Sequence, residues 1–233
     1  EYKTMFEEVY SRFVSGSGGW TTTKGKNWMW NEFNDDVTWA VLASIRAYFL
    51  FGNSSAYNLD YLSIAKTNFD NMYNRALLKV DGLYNLLRWK QSSTSVNSCI
   101  NGPAIVAACY LGQATGQDAY FQKAKELYAN MRIHLYVPAT GRVYDTFGNS
   151  WASTYNQGGY LGAAVMLYNR YGDEMYKTDA EKIVQYIRNN LCNTSGVVNV
   201  CGDEVDDLPI FKGIMMRYLR RFVVDLGKSE YVD

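Results

Sequence analysis

One histidine, His134, serves a chain of 233 residues. That excludes a zinc centre built on several imidazoles. Ser–His–Asp chemistry would have to rest on His134 alone, which closes the helical stretch LYANMRIH and reads as a surface or core residue. None of the four cysteines stands in C-x-x-C spacing. Cys99 and Cys109 lie in apolar, helix-like sequence and read as buried thiols. Cys192 and Cys201 flank a turn-like segment and are placed to pair, so the redox compartment stays open. Net charge is also missing: Lys+Arg and Asp+Glu both number 23. Without a basic excess nothing points to nucleic acid, and no basic amphipathic helix points to a membrane surface. The apolar runs are too short to span a bilayer. No glycine-rich loop ends in GK[ST], so there is no phosphate cradle of that type. A signal peptide is absent, but Glu1 is not a natural start and the chain reads as processed or trimmed.

Against these absences, 48% of the residues are hydrophobic and 20% charged, a globular composition with enough chain for one sizeable core. The aromatics are many: 20 Tyr, 10 Phe and 6 Trp. They suit either a large aromatic core or a carbohydrate cleft, in which the C–H faces of sugars lie on rings.

The organisation is a repeat. GQDAYFQKA sets Gly116, Tyr120 and Ala124 at the same spacing as Gly172, Tyr176 and Ala180 in GDEMYKTDA. GKSEY repeats the feature at Gly227 and Tyr231, and GNSSAYNLDYLSIA is a looser copy at Gly52, Tyr57 and Ala65. With Tyr2, the repeat tyrosines stand 55, 63, 56 and 55 residues apart. A helix ending at each Gly suits a cap with positive φ. A short turn follows, then an amphipathic helix beginning near the Tyr, then a long polar loop such as VDGLYNLLRWKQSSTSVNS. A second, more apolar helix leads to the next Gly. These second helices (DDVTWAVLASIRAYFLFG, NGPAIVAACYLGQATG, NQGGYLGAAVMLYNRYG and FKGIMMRYLRRFVVDLG) are apolar nearly all round and read as an inner layer. The expectation is all-α: one domain over residues 1–233, a ring of helical hairpins with about eight helices, lacking the flanking N- and C-terminal helices of a closed ring.

Each polar motif holds the same place in its repeat. Asp36 lies 16 residues before Gly52, Asn101 15 before Gly116, Asn156 16 before Gly172 and Phe211 16 before Gly227. NDD, NGP, TYNQGG and DDLPIFKG therefore stand at N-termini of inner helices, converging on one mouth. Helix N-termini offer unpaired N–H groups and partial positive charge, which hold a carboxylate ionised as a nucleophile needs. An aromatic, partly dry neighbour raises a carboxyl pKa, as a general acid needs. The adjacent Asp35 and Asp36 also admit a plain capping role; four polar motifs at one mouth favour function. A magnesium box of the D-D-x-x-D kind is broken in DDVTW, where Trp39 replaces the third acid. DEVDD (Asp203 to Asp207) comes closer, and reads as a solvated acidic loop or a structural calcium site.

FNDDVTWAVLASIRAY, NSCINGPAIVAACYL, STYNQGGYLGAAVMLY and DDLPIFKGIMMRYL together resemble glycoside hydrolase family 76, the endo-α-1,6-mannanases, in order over nearly the whole chain. The resemblance implies an (α/α)6 barrel of six hairpins, a retaining mechanism without cofactor or metal, and an α-mannan polysaccharide or oligosaccharide as substrate. It implies Asp35 as nucleophile and Asp36 as general acid/base. It assigns Asn101, Tyr155, Asn156, Gln157, Asp207 and Lys212 to sugar binding or to support of the pair. Trp89, in LLRWK, stacks on mannose or packs its loop on the barrel. A secreted, cell-surface or periplasmic location follows from the same resemblance. Transglycosylation, a mannan-binding protein with a degenerate site, and a magnesium-dependent all-α lyase or cyclase are the alternatives.

Overall fold

A computed structural model describes residues 1–15, 25–80, 84–198 and 208–231. Eight α-helices carry the described fold: α1 (Tyr2–Ser15), α2 (Asn34–Phe51), α3 (Asn58–Ala76), α4 (Ser98–Thr115), α5 (Asp118–His134), α6 (Thr154–Tyr171), α7 (Glu174–Tyr186) and α8 (Leu208–Asp225). They form an α/α-barrel wall. The even-numbered helices pack in succession, α2 on α4, α4 on α6 and α6 on α8, and α3, α5 and α7 pack outside α2, α4 and α6. Every residue of α6 from Thr154 to Leu167 is buried, so apolar character around the whole helix does mark the inner layer. The flanking inner helices are less covered, with Leu50 of α2 and Val224 of α8 mostly exposed.

At the far end from the polar motifs, the inner helices stop at Gly52, Gly116, Gly172 and Gly227, whose φ values of 49°, 69°, 68° and 64° only glycine adopts at no cost. The outer helices lead instead into long connections. Two contain antiparallel ribbons where the polar pattern predicts loop: β1 (Leu77–Val80) with β2 (Tyr84–Leu87), and β3 (Tyr136–Val137) with β4 (Arg142–Val143). An Asp-Gly pair between apolar runs, Asp81-Gly82, was the available hairpin signal for the first.

Glycines set how closely the inner helices approach. A Cβ on Gly102 of α4 would stand 3.0 Å from the backbone of Gly159, and one on Gly158 of α6 would stand 2.6 Å from Met215 Cα of α8. The glycines of NGP and QGG are therefore packing residues, one turn inside the mouth.

Candidate active site

The inner helices begin two or three residues earlier than the repeat offsets suggest, at Asn34, Ser98, Thr154 and Leu208. That shift decides which side chains reach the mouth. The second residues of α2, α4 and α6 are Asp35, Cys99 and Tyr155, and all three line one cleft of about 470 Å³. Asp36, Trp39 and Asn156 join them from the same helices, and Phe211 and Ile214 from α8. The cleft is thus bounded by the N-termini of all four inner helices.

Asp35 and Asp36 do not cap α2, whose N-cap is Phe33; they stand in its first turn. Loop 25–33 is clamped behind them by Arg75 of α3, which donates from Nη1 to Met29 O at 2.9 Å, from Nη2 to Asn31 O at 2.6 Å and from Nε to Asn34 Oδ1 at 2.8 Å. Asn31 Nδ2 in turn donates to Asp36 Oδ2 at 3.1 Å. The two carboxylates face different surroundings. Asp36 is exposed, whereas Asp35 is partly buried and its Oδ1 has no hydrogen-bond partner among the described residues. Burial, and after it the neighbouring Asp36 charge, push the Asp35 pKa up to about 6; the first-turn N–H groups of Asp35 and Asp36 and the Trp89 side chain pull the other way without cancelling them. Desolvation outweighs the helix N-terminus here.

Trp89 lines the cleft, and its ring lies 5.2 Å from that of Phe33. Tyr155 forms cleft wall with Trp39, whose indole donates to the Tyr155 hydroxyl, and with Phe211 at 4.8 Å between ring centroids. Tyr155 itself donates to Cys99 O at 3.1 Å. Cys109 is buried as expected, but Cys99 is not: it is partly exposed in the cleft beside Asp35.

Three expected cleft residues lie elsewhere. Asn101 sits a full turn inside α4, wholly buried, and its amide is spent on the β2 backbone, accepting from Leu87 N at 2.8 Å and donating to Leu87 O at 2.9 Å. Gln157 is buried too, accepting from Val143 N at 3.1 Å and so fixing β4. Lys212 is half-buried on α8 and outside the cleft lining. Asp207, the rest of the acidic run 203–207, and Cys201 with its suggested pairing to Cys192 lie outside the described residues. His134 packs against Tyr84 and Phe147, at 5.9 and 5.6 Å between ring centroids.

The sequence reading passed over Asn97, Asp145, Trp151 and Ser153, all on the long connections and all lining the cleft. Ser153 caps α6, accepting from Asn156 N at 3.0 Å. Its position before an apolar helix was a legible cap signal. Asp145 sits in VYDTFGN, where no periodicity marks it.

Four helix N-termini of an α/α barrel thus meet at one ring-walled, carboxylate-bearing cleft. The chain belongs to glycosyl hydrolase family 76, whose family model matches residues 2–227. Among solved structures, it is similar to the GH76A α-1,6-mannanase of Salegentibacter sp. HEL1_6, with a TM-score of 0.78 and 27% identity over 96% of this chain. An inactive variant of that mannanase, with two consecutive aspartates changed to asparagine and α-1,6-mannotriose bound, matches at a TM-score of 0.80 and 26% identity over 96% of this chain. A Listeria innocua protein shares the fold, at a TM-score of 0.82 and 23% identity over 98% of this chain. The chain spans 63%, 66% and 64% of the lengths of these three structures, in that order. No curated protein sequence gives a match.

Proposed function

We propose that the protein is a glycoside hydrolase that cleaves α-1,6-mannosidic bonds by retaining double displacement, with Asp35 as nucleophile and Asp36 as general acid/base. The observation that carries this reading is the adjacent pair of unlike carboxyls, one partly buried and one exposed, in the first turn of α2 at the base of the cleft. The Salegentibacter mannanase was inactivated by changing two consecutive aspartates, and the inactive protein holds an α-1,6-mannooligosaccharide. Asp35 and Asp36 are the consecutive aspartates of this cleft.

Retaining enzymes hold their carboxyls ~5–5.5 Å apart. Successive Cα atoms ~3.8 Å apart, with side chains diverging around a helix, give neighbouring residues that reach. In the first step the Asp35 carboxylate attacks the anomeric carbon, while Asp36 gives its proton to the departing glycosidic oxygen. An ester joins sugar and Asp35. In the second step Asp36 takes a proton from water, whose oxygen displaces Asp35 and restores both groups. A raised carboxyl suits a general acid, but at about 6 the Asp35 pKa leaves the group mostly ionised at neutral pH, as a nucleophile must be; the order of the two roles follows the family resemblance. The rings of Trp39, Trp89 and Tyr155 supply apolar walls for sugar C–H faces. A mannan substrate implies an extracytoplasmic site of action; among the described residues no helix is long and apolar enough to cross a membrane.

Digestion of linear α-1,6-mannan, with products sized and their anomeric configuration followed by NMR, tests the reading. Shorter chains released first as the α-anomer are expected. Products longer than the starting chains would shift the reading to glycosyl transfer. No change in chain length with either outcome absent, in a folded protein, would refute it.

A further inference from the structure

Pro103 stands in the second turn of α4 and has no N–H to give. The carbonyl one helical turn back, that of Cys99, therefore lacks its usual intrahelical donor, and the proline ring crowds it. Tyr155 of α6 supplies a donor instead: its hydroxyl donates to Cys99 O at 3.1 Å. The same hydroxyl accepts from the Trp39 indole of α2. Neither direction can reverse, because an indole N–H only donates and a carbonyl only accepts. One turn further in, the same two helices touch again. Gly159 lies four residues beyond Tyr155, and a Cβ on it would stand 3.2 Å from Pro103 Cδ. Tyr155 and Gly159 thus share one face of α6, laid on Cys99 and Pro103 of α4. On α2, Trp39 follows Asp35 by four residues and shares its face, and both line the cleft. The Trp39 and Tyr155 rings meet edge to face at 5.5 Å between centroids. Burial, and after it the nearby Cys99 and Asp35, hold the Tyr155 hydroxyl well above its ordinary pKa, so it remains a donor throughout the neutral range.

We propose that Tyr155 is a positioning residue: its hydroxyl, drawn to the carbonyl that Pro103 leaves without a helical partner, holds the Trp39 indole as a fixed wall beside Asp35. The inference rests on the reading of the cleft as a mannan site. It gives Tyr155 support of the reacting pair rather than a hydrogen bond to sugar, because the one proton of its hydroxyl is spent on Cys99 O. The proline, the tyrosine and the tryptophan come from three separate motifs, NGP, YNQGG and NDDVTW, and one oxygen joins them. A wall that cannot turn presents the sugar to Asp35 in one orientation. Losing that alignment costs rate at the reacting bond more than it costs binding.

Tyr155→Phe keeps the ring and removes both bonds. Its kcat on α-1,6-mannan should fall by about 10- to 100-fold, with KM within about threefold of the parent. In 15N–1H NMR of the ligand-free protein, the Trp39 indole signal, assigned with Trp39→Phe, should move upfield in Tyr155→Phe. The same variant leaves Cys99 O without a donor, so its Tm should fall. Adding Pro103→Ala returns an N–H one turn from that carbonyl. Tm should then rise by more than Pro103→Ala gives in the parent, where Tyr155 already serves the carbonyl. In the double variant kcat and the indole signal should stay as they are in Tyr155→Phe. A tyrosine that serves only the fold would instead recover kcat together with Tm, which overturns the proposal. An equal gain in Tm in both backgrounds overturns it too, since the carbonyl would not be shared. So does a rise in KM with kcat unchanged, the mark of a direct contact with sugar. Should Tyr155→Phe alone not fold, the double variant supplies kcat and the indole signal. If the unaltered protein leaves mannan uncut, the functional reading fails instead; the relay is then judged by the ligand-free indole signal, and a signal unmoved by Tyr155→Phe overturns it.

Discussion

The two ends of the inner helices are built on opposite plans. At the C-terminal ends, α4 and α6 pass to their outer partners through Gly116-Gln117 and Gly172-Asp173, turns with little room for anything but a change of direction. At the N-terminal ends, α4 and α6 are reached through residues 77–97 and 135–153, which carry the ribbons, Trp89, Asn97, Asp145 and Trp151. Backbone conformation dictates sequence at the first end, so the repeat is readable there. Side-chain chemistry occupies the second, where long connections leave residues free to vary around a fixed scaffold.

The largest test of that division removes the carboxylates. Asp35→Asn and Asp36→Asn should each lower turnover on α-1,6-mannan by on the order of a thousandfold or more, because each removes a group used at the reacting bond. Circular dichroism should show both variants folded. If the pair merely favours the helix N-terminus, each change would cost about 1 kcal/mol of stability or less and leave rates intact, and the two ends would not differ in the way described. Second in size is a packing change close to the same mouth. Gly158→Ala places a Cβ 2.6 Å from Met215 Cα, an obstacle of backbone that cannot rotate away. A stability loss of about 2–3 kcal/mol is expected in denaturant titrations, through separation of α6 from α8. A loss under 0.5 kcal/mol would show that the helices part easily.

How much of this was legible follows from the same division. The positive-φ glycines, the two helical layers and the convergence of NDD, NGP, TYNQGG and FKG at one end are all set by local rules of spacing and capping. The motifs were then read as single functional units, and the structure divides them. Tyr155 and Asn156 of YNQGG reach the cleft, Gln157 pins β4, and the glycines face Pro103 and Met215 on neighbouring helices. In NGP the asparagine binds β2, and Cys99, two residues upstream, takes the cleft position. A rotation of 100° per residue separates these fates, and an offset uncertain by two or three residues cannot resolve it. Asp145 was beyond reach for another reason: its partners Asn97 and Asn156 are 48 and 11 residues away, and no local rule joins them.

A subtler test asks whether the functional end lowers the stability of the fold. The Asp35 pKa rises from 3.8 to about 6 on folding, so the native state holds its proton more tightly than the unfolded chain. For a raised carboxyl the stabilising contribution is present below pH 4 and is lost as pH climbs through 6. At pH 8 the folded protein carries an ionised, partly buried group at a cost on the order of 2 kcal/mol. Asp35→Asn should therefore raise Tm at pH 8 by about 4–8 °C and leave it nearly unchanged at pH 4. A variant less stable than the parent at pH 8 would show that the first-turn N–H groups hold the carboxylate more strongly than burial opposes it.

The smallest effect belongs to the other end. Gly116 caps α4 at φ 69°, and a Cβ there meets nothing within 4 Å. Its substitution thus isolates conformation from packing, unlike the change at Gly158. Gly116→Ala should cost about 1 kcal/mol, the penalty of placing an L side chain in the left-handed region. Gly116→Asn should cost less, since asparagine tolerates that region and serves as the second choice at such caps. Neither should alter KM or kcat on mannan, because the turn lies at the opposite end of α4 from Cys99. Equal losses for Ala and Asn would mean that the short turn to α5 is constrained by more than its φ. A change in KM would mean that the two ends communicate along the helix, and the division between them would need redrawing.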